Sequence, residues 1–105
     1  MKKLTIRVNG YPWDIVFTSD NKNLIDRNGH ICKGLVSYKE KIIYVDRNVP
    51  REDIKHILKH ELTHIYLYKT QLYVKETFSE EDICEFVAIY GSKIHNKVNN
   101  IMKRI

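Results

Sequence analysis

The sequence has few cysteines, and the two that it has stand alone. Cys32 and Cys84 are 52 positions apart in a chain of 105 residues, and neither belongs to a CxxC pair. Two isolated cysteines are too few for a disulfide framework, and their spacing disfavours a zinc knuckle made of thiolates. We therefore expect two reduced, partly buried thiols.

Long apolar runs, repeats and flexible linkers are also missing. No stretch approaches the roughly 18 apolar residues of a membrane-spanning helix. Residues 1–7 are basic but lack the apolar segment of a secretory signal, so the cytoplasm is the expected location. With four glycines, two prolines and no low-complexity tract, residues 1–105 are predicted to form a single domain.

The chain is basic, but its positive charge is not concentrated. Eighteen Lys and Arg against 13 Asp and Glu give a net charge of +5, spread over the whole length. A solvated surface accounts for this excess as well as nucleic acid does. We expect any binding of DNA or RNA to be weak and non-specific.

The first half of the sequence has the alternation of β-strands. Residues 4–8 and 13–17 flank Asn9-Gly10, a pair typical of a type I′ hairpin turn. Residues 18–30 are polar and rich in turn formers, which indicates a loop with at most one short helical turn. Residues 34–38 and 42–46 then predict a second hairpin.

The second half changes to helical periodicity. A helix is predicted from Pro50 to about Tyr68, followed by a break over residues 69–78 and a capping box at Ser79. A second, long helix then carries an apolar stripe, which consists of Ile83, Val87, Tyr90, Ile94, Val98, Ile101 and Ile105. The predicted fold class is α+β, with a small antiparallel sheet of three to four strands followed by two helices.

The first predicted helix carries His60-Glu61-Leu62-Thr63-His64, an HExxH motif. Histidines four residues apart lie on one face of a helix, within reach of one zinc ion. Glu61 lies about 100° around the helix, beside the open position of the metal. This is the position of a base that takes a proton from zinc-bound water. His56, one turn earlier, extends the site or is an ordinary surface group.

A third zinc ligand is expected from the start of the second helix, which a short turn folds back against the first. The acidic residues there are Glu80, Glu81, Asp82 and Glu85. Glu81 and Glu85 are one helical turn apart, so Glu81 is expected to bind zinc while Glu85 hydrogen-bonds a ligating histidine. The reverse assignment stays open, as does an ordinary role in stabilising the helix dipole.

The HExxH motif, followed by Glu81-Asp82-Ile83-Cys84-Glu85-Phe86-Val87-Ala88, resembles the gluzincin metallopeptidases. It is most similar to their short branch, the ImmA/IrrE-like proteins and related proteins of phages and mobile elements. Those place a glutamate ligand in an ExxxD/N pattern on the helix after HExxH. Glu81 matches the ligand, whereas Glu85 stands where the family usually has Asp or Asn. The strand pair over residues 34–46 is also similar, so the resemblance covers roughly residues 34–90.

The resemblance implies a zinc-dependent hydrolase of peptide bonds that acts on a protein or peptide, held along an edge strand. His60, His64 and Glu81 would hold zinc, and Glu61 would activate the water. Two other functions stay open: a zinc-binding regulatory protein that binds a partner without cleaving it, and a basic nucleic-acid-associated protein with a structural zinc. Tyrosines that could stabilise the oxyanion are Tyr44, Tyr66, Tyr68 and Tyr90.

Overall fold

The computed structural model describes residues 2–70 and 77–105 as a four-stranded sheet followed by two helices. The strands are β1 (Lys2–Val8), β2 (Tyr11–Thr18), β3 (Gly34–Ser37) and β4 (Ile42–Asp46); the helices are α1 (Arg51–Thr70) and α2 (Glu80–Lys103). A single 3-10 turn, Asn21–Asn23, lies in the loop between β2 and β3. The α+β class and the order of strands and helices are as predicted.

The sheet is mixed, which corrects the prediction of a purely antiparallel one. Its strand order is β1-β2-β4-β3. The two hairpin pairs are antiparallel, but β2 and β4 run parallel, with Ile15 opposite Ile43 and Phe17 opposite Val45. After the long connection that follows β2, β3 does not pair with β2 but leaves the neighbouring position to β4. β4 therefore lies between β2 and β3, and β3 is at the edge of the sheet. Alternation of side chains assigns faces to strands but does not assign neighbours.

The first hairpin turns as the sequence indicates. Asn9 and Gly10 both have positive φ, 54° and 85°, and Val8 is paired with Tyr11 across them. Positive φ at both central residues is the requirement of a type I′ turn, and Asn-Gly tolerates it best. This turn fixes the register of β1 against β2.

One face of the sheet and one side of each helix form the core. Alternate residues of the strands point inward, and the helices cover them with aliphatic side chains at 3- and 4-residue spacing. The buried members are Ile6, Val8, Trp13, Ile15, Phe17, Ile43, Val45, Leu58, Leu62, Ile65, Tyr66, Ile94, Val98 and Ile101. α1 is therefore fixed directly on the sheet, where it also contacts the edge strand β3.

The second helix begins with the predicted capping box. The Ser79 hydroxyl accepts a hydrogen bond from the Asp82 amide at 3.1 Å, and the Asp82 carboxylate accepts one from the Ser79 amide at 3.1 Å. These bonds satisfy two amide groups that a helix start otherwise leaves unpaired.

The long second helix is as predicted, and its apolar stripe is buried only in its second half. Ile94, Val98 and Ile101 are in the core, whereas Ile83 and Val87 are more than half exposed. The first half of α2 reaches past the part of the sheet and α1 that could cover it. The 3- and 4-residue periodicity predicts which side of α2 is apolar, but not how much of that side another element covers.

No helix within residues 2–70 and 77–105 is both long enough and apolar enough to cross a membrane.

Candidate metal centre

The two histidines of the motif meet on the open side of α1. The Nε2 atoms of His60 and His64 lie 3.2 Å apart, and their rings are close to perpendicular, at 76°. Both side chains are exposed, while Leu58 and Leu62 on the opposite side of the helix are fully buried. Burial of the apolar side of α1 thus directs both imidazoles toward solvent, with nitrogen atoms side by side.

The nitrogen spacing fits a shared zinc ion. Two Zn–N bonds of about 2.0–2.1 Å at a tetrahedral angle place the nitrogens about 3.3 Å apart. Burial and the neighbouring His60 imidazole lower the pKa of His64, which favours the neutral form that binds metal. The distance between the two nitrogens is therefore compatible with their supplying two of the four ligands.

Glu61 is buried beside the exposed histidine pair. Its side chain is only 7% exposed, and no group in the described residues donates a hydrogen bond to its carboxylate. Burial raises its pKa from the ordinary 4.5 to about 7. A carboxyl with this pKa takes up and releases a proton near neutral pH, which is what a general base requires.

Replacing Glu61 by glutamine is expected to stabilise the chelator-treated protein at pH 8.5, by roughly 2–3 kcal/mol. The folded-state pKa of Glu61 lies above its unfolded value, so ionisation costs the folded state stability. This difference is absent below about pH 4.5, grows as the pH rises to about 7, and is constant above that. Urea unfolding of both proteins at pH 4.5 and 8.5 measures it.

The exposed Glu85→Gln change is the matched control, with an expected effect within about 0.5 kcal/mol at both pH values. Equal stability of wild-type and Glu61→Gln protein across this range would mean that Glu61 has an ordinary, solvated carboxylate.

The edge strand approaches α1 closely at Gly34. A Cβ atom at this position would lie 2.5 Å from Cγ2 of Ile57 and 3.2 Å from Cγ of Glu61. Only glycine fits between the strand and the helix here. The backbone of β3 therefore covers Glu61, and this close contact is what removes the carboxylate from water.

Gly34→Ala is expected to lower the free energy of unfolding by about 1–3 kcal/mol, because the added methyl group displaces Ile57. Gly91→Ala in α2 is the control: its Cβ meets Val87 at 3.4 Å, an ordinary contact, so alanine should stabilise the helix by about 0.5–1 kcal/mol. Urea unfolding compares the two. An equal, stabilising effect at both positions would show that β3 does not press on α1.

The histidine pair and Glu61 open into one cavity of about 450 Å³ between α1, β3 and the loop before β3. Its lining also includes Tyr38, His56, Asp26 and Cys32. The Cys32 thiol lies 3.9 Å from the Asp26 carboxylate, and burial, with the nearby carboxylates of Asp26 and Glu61, raises its pKa. The thiol is thus kept protonated in the protein without metal.

Sequence reasoning missed Tyr38 and Gly34. None of the four tyrosines named from the sequence lines this cavity. Tyr44 donates to Glu40 at 3.4 Å, Tyr66 packs on Tyr90, and Tyr68 stacks on Tyr38. The position of Tyr38 at the end of β3, in the hairpin that precedes the HExxH helix, was the available signal. His56 lines the cavity and is also exposed, so it can still either extend the site or be an ordinary surface group.

The structure does not bring Glu81 or Glu85 to the histidine pair. Tyr66 of α1 packs against Tyr90 of α2, and the helices run antiparallel, so His60 and Glu81 lie in opposite directions from this contact. At 1.5 Å per residue they are about 20 Å apart along the helices. Glu81 and Glu85 are both exposed. Their zinc roles stay predictions of the resemblance.

No set of three or more His, Cys, Asp and Glu side chains within residues 2–70 and 77–105 is positioned to hold a metal ion. The described site therefore consists of the two histidines, the buried glutamate between helix and strand, and an open cavity in front of them.

Comparison with known protein families, with curated proteins and with solved structures found no match for this chain.

Proposed function

We propose that this protein is a zinc-dependent peptidase whose metal is held by His60 and His64 and whose general base is Glu61. The observation that carries the proposal is the pairing of two exposed histidines, whose Nε2 atoms lie 3.2 Å apart, with a buried carboxyl on the same helix. An accidental HExxH on a surface helix would leave its glutamate in water. Here β3 covers it.

The residues of the chain divide the chemistry between them. When bound, zinc polarises the peptide carbonyl and makes a water molecule more acidic. Glu61, buried next to the histidine pair, would accept the proton of the attacking water and pass it to the leaving amine. We propose Tyr38, which lines the same cavity, as the donor to the developing oxyanion.

Substrate binding is proposed along β3. This strand pairs with β4 on one side and is at the edge of the sheet on the other, next to the cavity. An extended peptide can add to such an edge by main-chain hydrogen bonds.

Both cysteines are unpaired, which suits a reducing compartment. We propose that the protein acts in the cytoplasm on a protein or peptide substrate.

The test uses lysate of the host cell, since the substrate is not known. Purified protein, chelator-treated protein and the His60→Ala/His64→Ala double variant are each incubated with lysate, and new peptide termini are identified by mass spectrometry. The proposal expects termini that arise with untreated protein, vanish on chelation, return with zinc and are absent with the double variant. Identical termini in all samples would reject the peptidase and favour a zinc-binding regulatory protein that binds a partner without cleaving it.

A further inference from the structure

A second cavity, of about 400 Å³, adjoins the histidine cavity. Tyr38 lines both, so the two cavities share a wall. The second cavity lies between the first hairpin and the last turns of α1. The proposed chemistry uses none of its other lining residues.

The floor of the second cavity is apolar and aromatic. Trp13, 6% exposed, meets the Tyr38 ring edge-on at 6.3 Å, and Tyr38 stacks on Tyr68 at 4.4 Å. Ile65 is a buried aliphatic neighbour in the same lining. An aromatic surface of this kind binds large apolar side chains, and it binds aromatic side chains best.

The rim of the second cavity is positively charged. Lys41 and Lys69 both line it, and no acidic residue of the described chain does. Lys41 lies over the Tyr11 ring at 5.6 Å, and Lys69 donates to the Asn9 side chain at 3.4 Å. Neither lysine has a carboxylate partner within the described residues. A carboxylate on the occupant would supply the missing negative charge.

The second cavity follows the histidines along α1, because Ile65, Tyr68 and Lys69 line it. His60, His64 and Tyr68 follow one another at four-residue intervals on α1, so Tyr68 lies about 6 Å beyond His64. An extended peptide advances about 3.3 Å per residue. A side chain about two residues from the bond at the histidines would therefore enter the aromatic floor.

We propose that the second cavity is the specificity subsite of the peptidase, selecting a bulky apolar or aromatic residue with a carboxylate beside it. The carboxylate comes from a neighbouring Asp or Glu or from the free end of the peptide; the ligand chemistry is the same. This assignment rests on the proposed function for its role in cleavage, but the binding preference is measurable without any cleavage.

Trp13, the only tryptophan, reports occupancy through its fluorescence. Three peptides are titrated into the full-length protein: acetyl-Phe-Glu-amide, acetyl-Ala-Phe with a free carboxylate, and acetyl-Ala-Phe-amide. The two carboxylate peptides should bind about fivefold or more tightly than the amide, a preference that salt weakens. A preference for only one of the two identifies the source of the carboxylate and supports the subsite equally.

Lys69→Glu should abolish or invert that preference. Lys39→Glu is the matched control, because it makes the same charge change at an exposed position that lines neither cavity. Equal binding of all three peptides to the wild type, or an equal effect of the two variants, would overturn the proposal. Tighter binding of oligothymidylate at the same salt would also overturn it, because the cavity would then be a stacking site for nucleic acid.

The lysate experiment separates this inference from the proposed function. If the wild type shows no preference among the peptides but produces zinc-dependent termini, the proposed subsite is rejected and the proposed peptidase function is supported. If the carboxylate peptides are preferred and no such termini appear, the cavity binds the proposed class of ligand but the proposal of a peptidase is rejected. If both hold, the new termini should have a bulky apolar residue about two positions from the cut.

Discussion

The Glu61→Gln protein should cleave its substrate about 10²- to 10⁴-fold more slowly than the wild type, the usual contribution of a general base. Glutamine keeps nearly the shape of glutamate but cannot take the proton of the attacking water. Because Glu61 points toward β3 and is displaced from the face of His60 and His64, the change should leave zinc content intact. Substrate binding should also change little.

The measurement follows the zinc-dependent termini over time with equal concentrations of the two proteins, with zinc content measured on the same samples. Glu52→Gln, at an exposed glutamate in the first turn of the same helix, is the control for loss of one negative charge. Cleavage by Glu61→Gln protein at the wild-type rate, with zinc retained, would remove Glu61 from the chemistry. Loss of both zinc and cleavage would instead make Glu61 a ligand.

His60→Ala and His64→Ala should each lower zinc affinity by more than about 100-fold, because each removes one of two adjacent imidazole ligands. Protein purified without chelator is expected to contain close to one zinc per chain, and the double variant almost none. Metal analysis after dialysis gives the content, and competition with a chromophoric chelator gives the affinity. His95→Ala is the control, since His95 is an exposed histidine of α2 that does not line this cavity. Full occupancy in the double variant would exclude this helix as the zinc site.

The same titration tests the two glutamates of α2. If Glu81 is the third ligand, Glu81→Gln should weaken zinc binding more than Glu85→Gln, for which a loss of about 10- to 100-fold is expected if it only hydrogen-bonds a ligand. Reaching the histidines would require the start of α2 to shift along α1 past the contact between Tyr66 and Tyr90. Unchanged affinity in both variants would confine the ligands to α1 and its cavity.

Local sequence signals predicted the elements well because short-range chemistry decides them. Asn9-Gly10 favours the positive φ values of a tight hairpin, and Ser79 with Asp82 satisfies the first amides of α2. The HExxH spacing likewise places two imidazoles on one turn whatever the rest of the fold does. These features depend on residues within a few positions of one another.

Three features depended on contacts between distant parts of the chain. The parallel pairing of β2 with β4 follows from which strand fills the centre of the sheet. The exposure of Ile83 follows from how far α1 and the sheet extend beneath α2. The separation of Glu81 from His60 follows from the antiparallel contact at Tyr66, which lies between them. Periodicity carries no information about any of these.

The sequence by itself determined that His60 and His64 share a face and that Glu61 stands beside them, since helical geometry fixes both. Only the tertiary structure decided that burial raises the pKa of Glu61 to about 7. The edge strand, which at Gly34 has no side chain, closes over the carboxylate and removes it from water. Desolvation penalises the charged form, so a glutamate that would be an ordinary acid on an open helix becomes one that exchanges its proton at neutral pH.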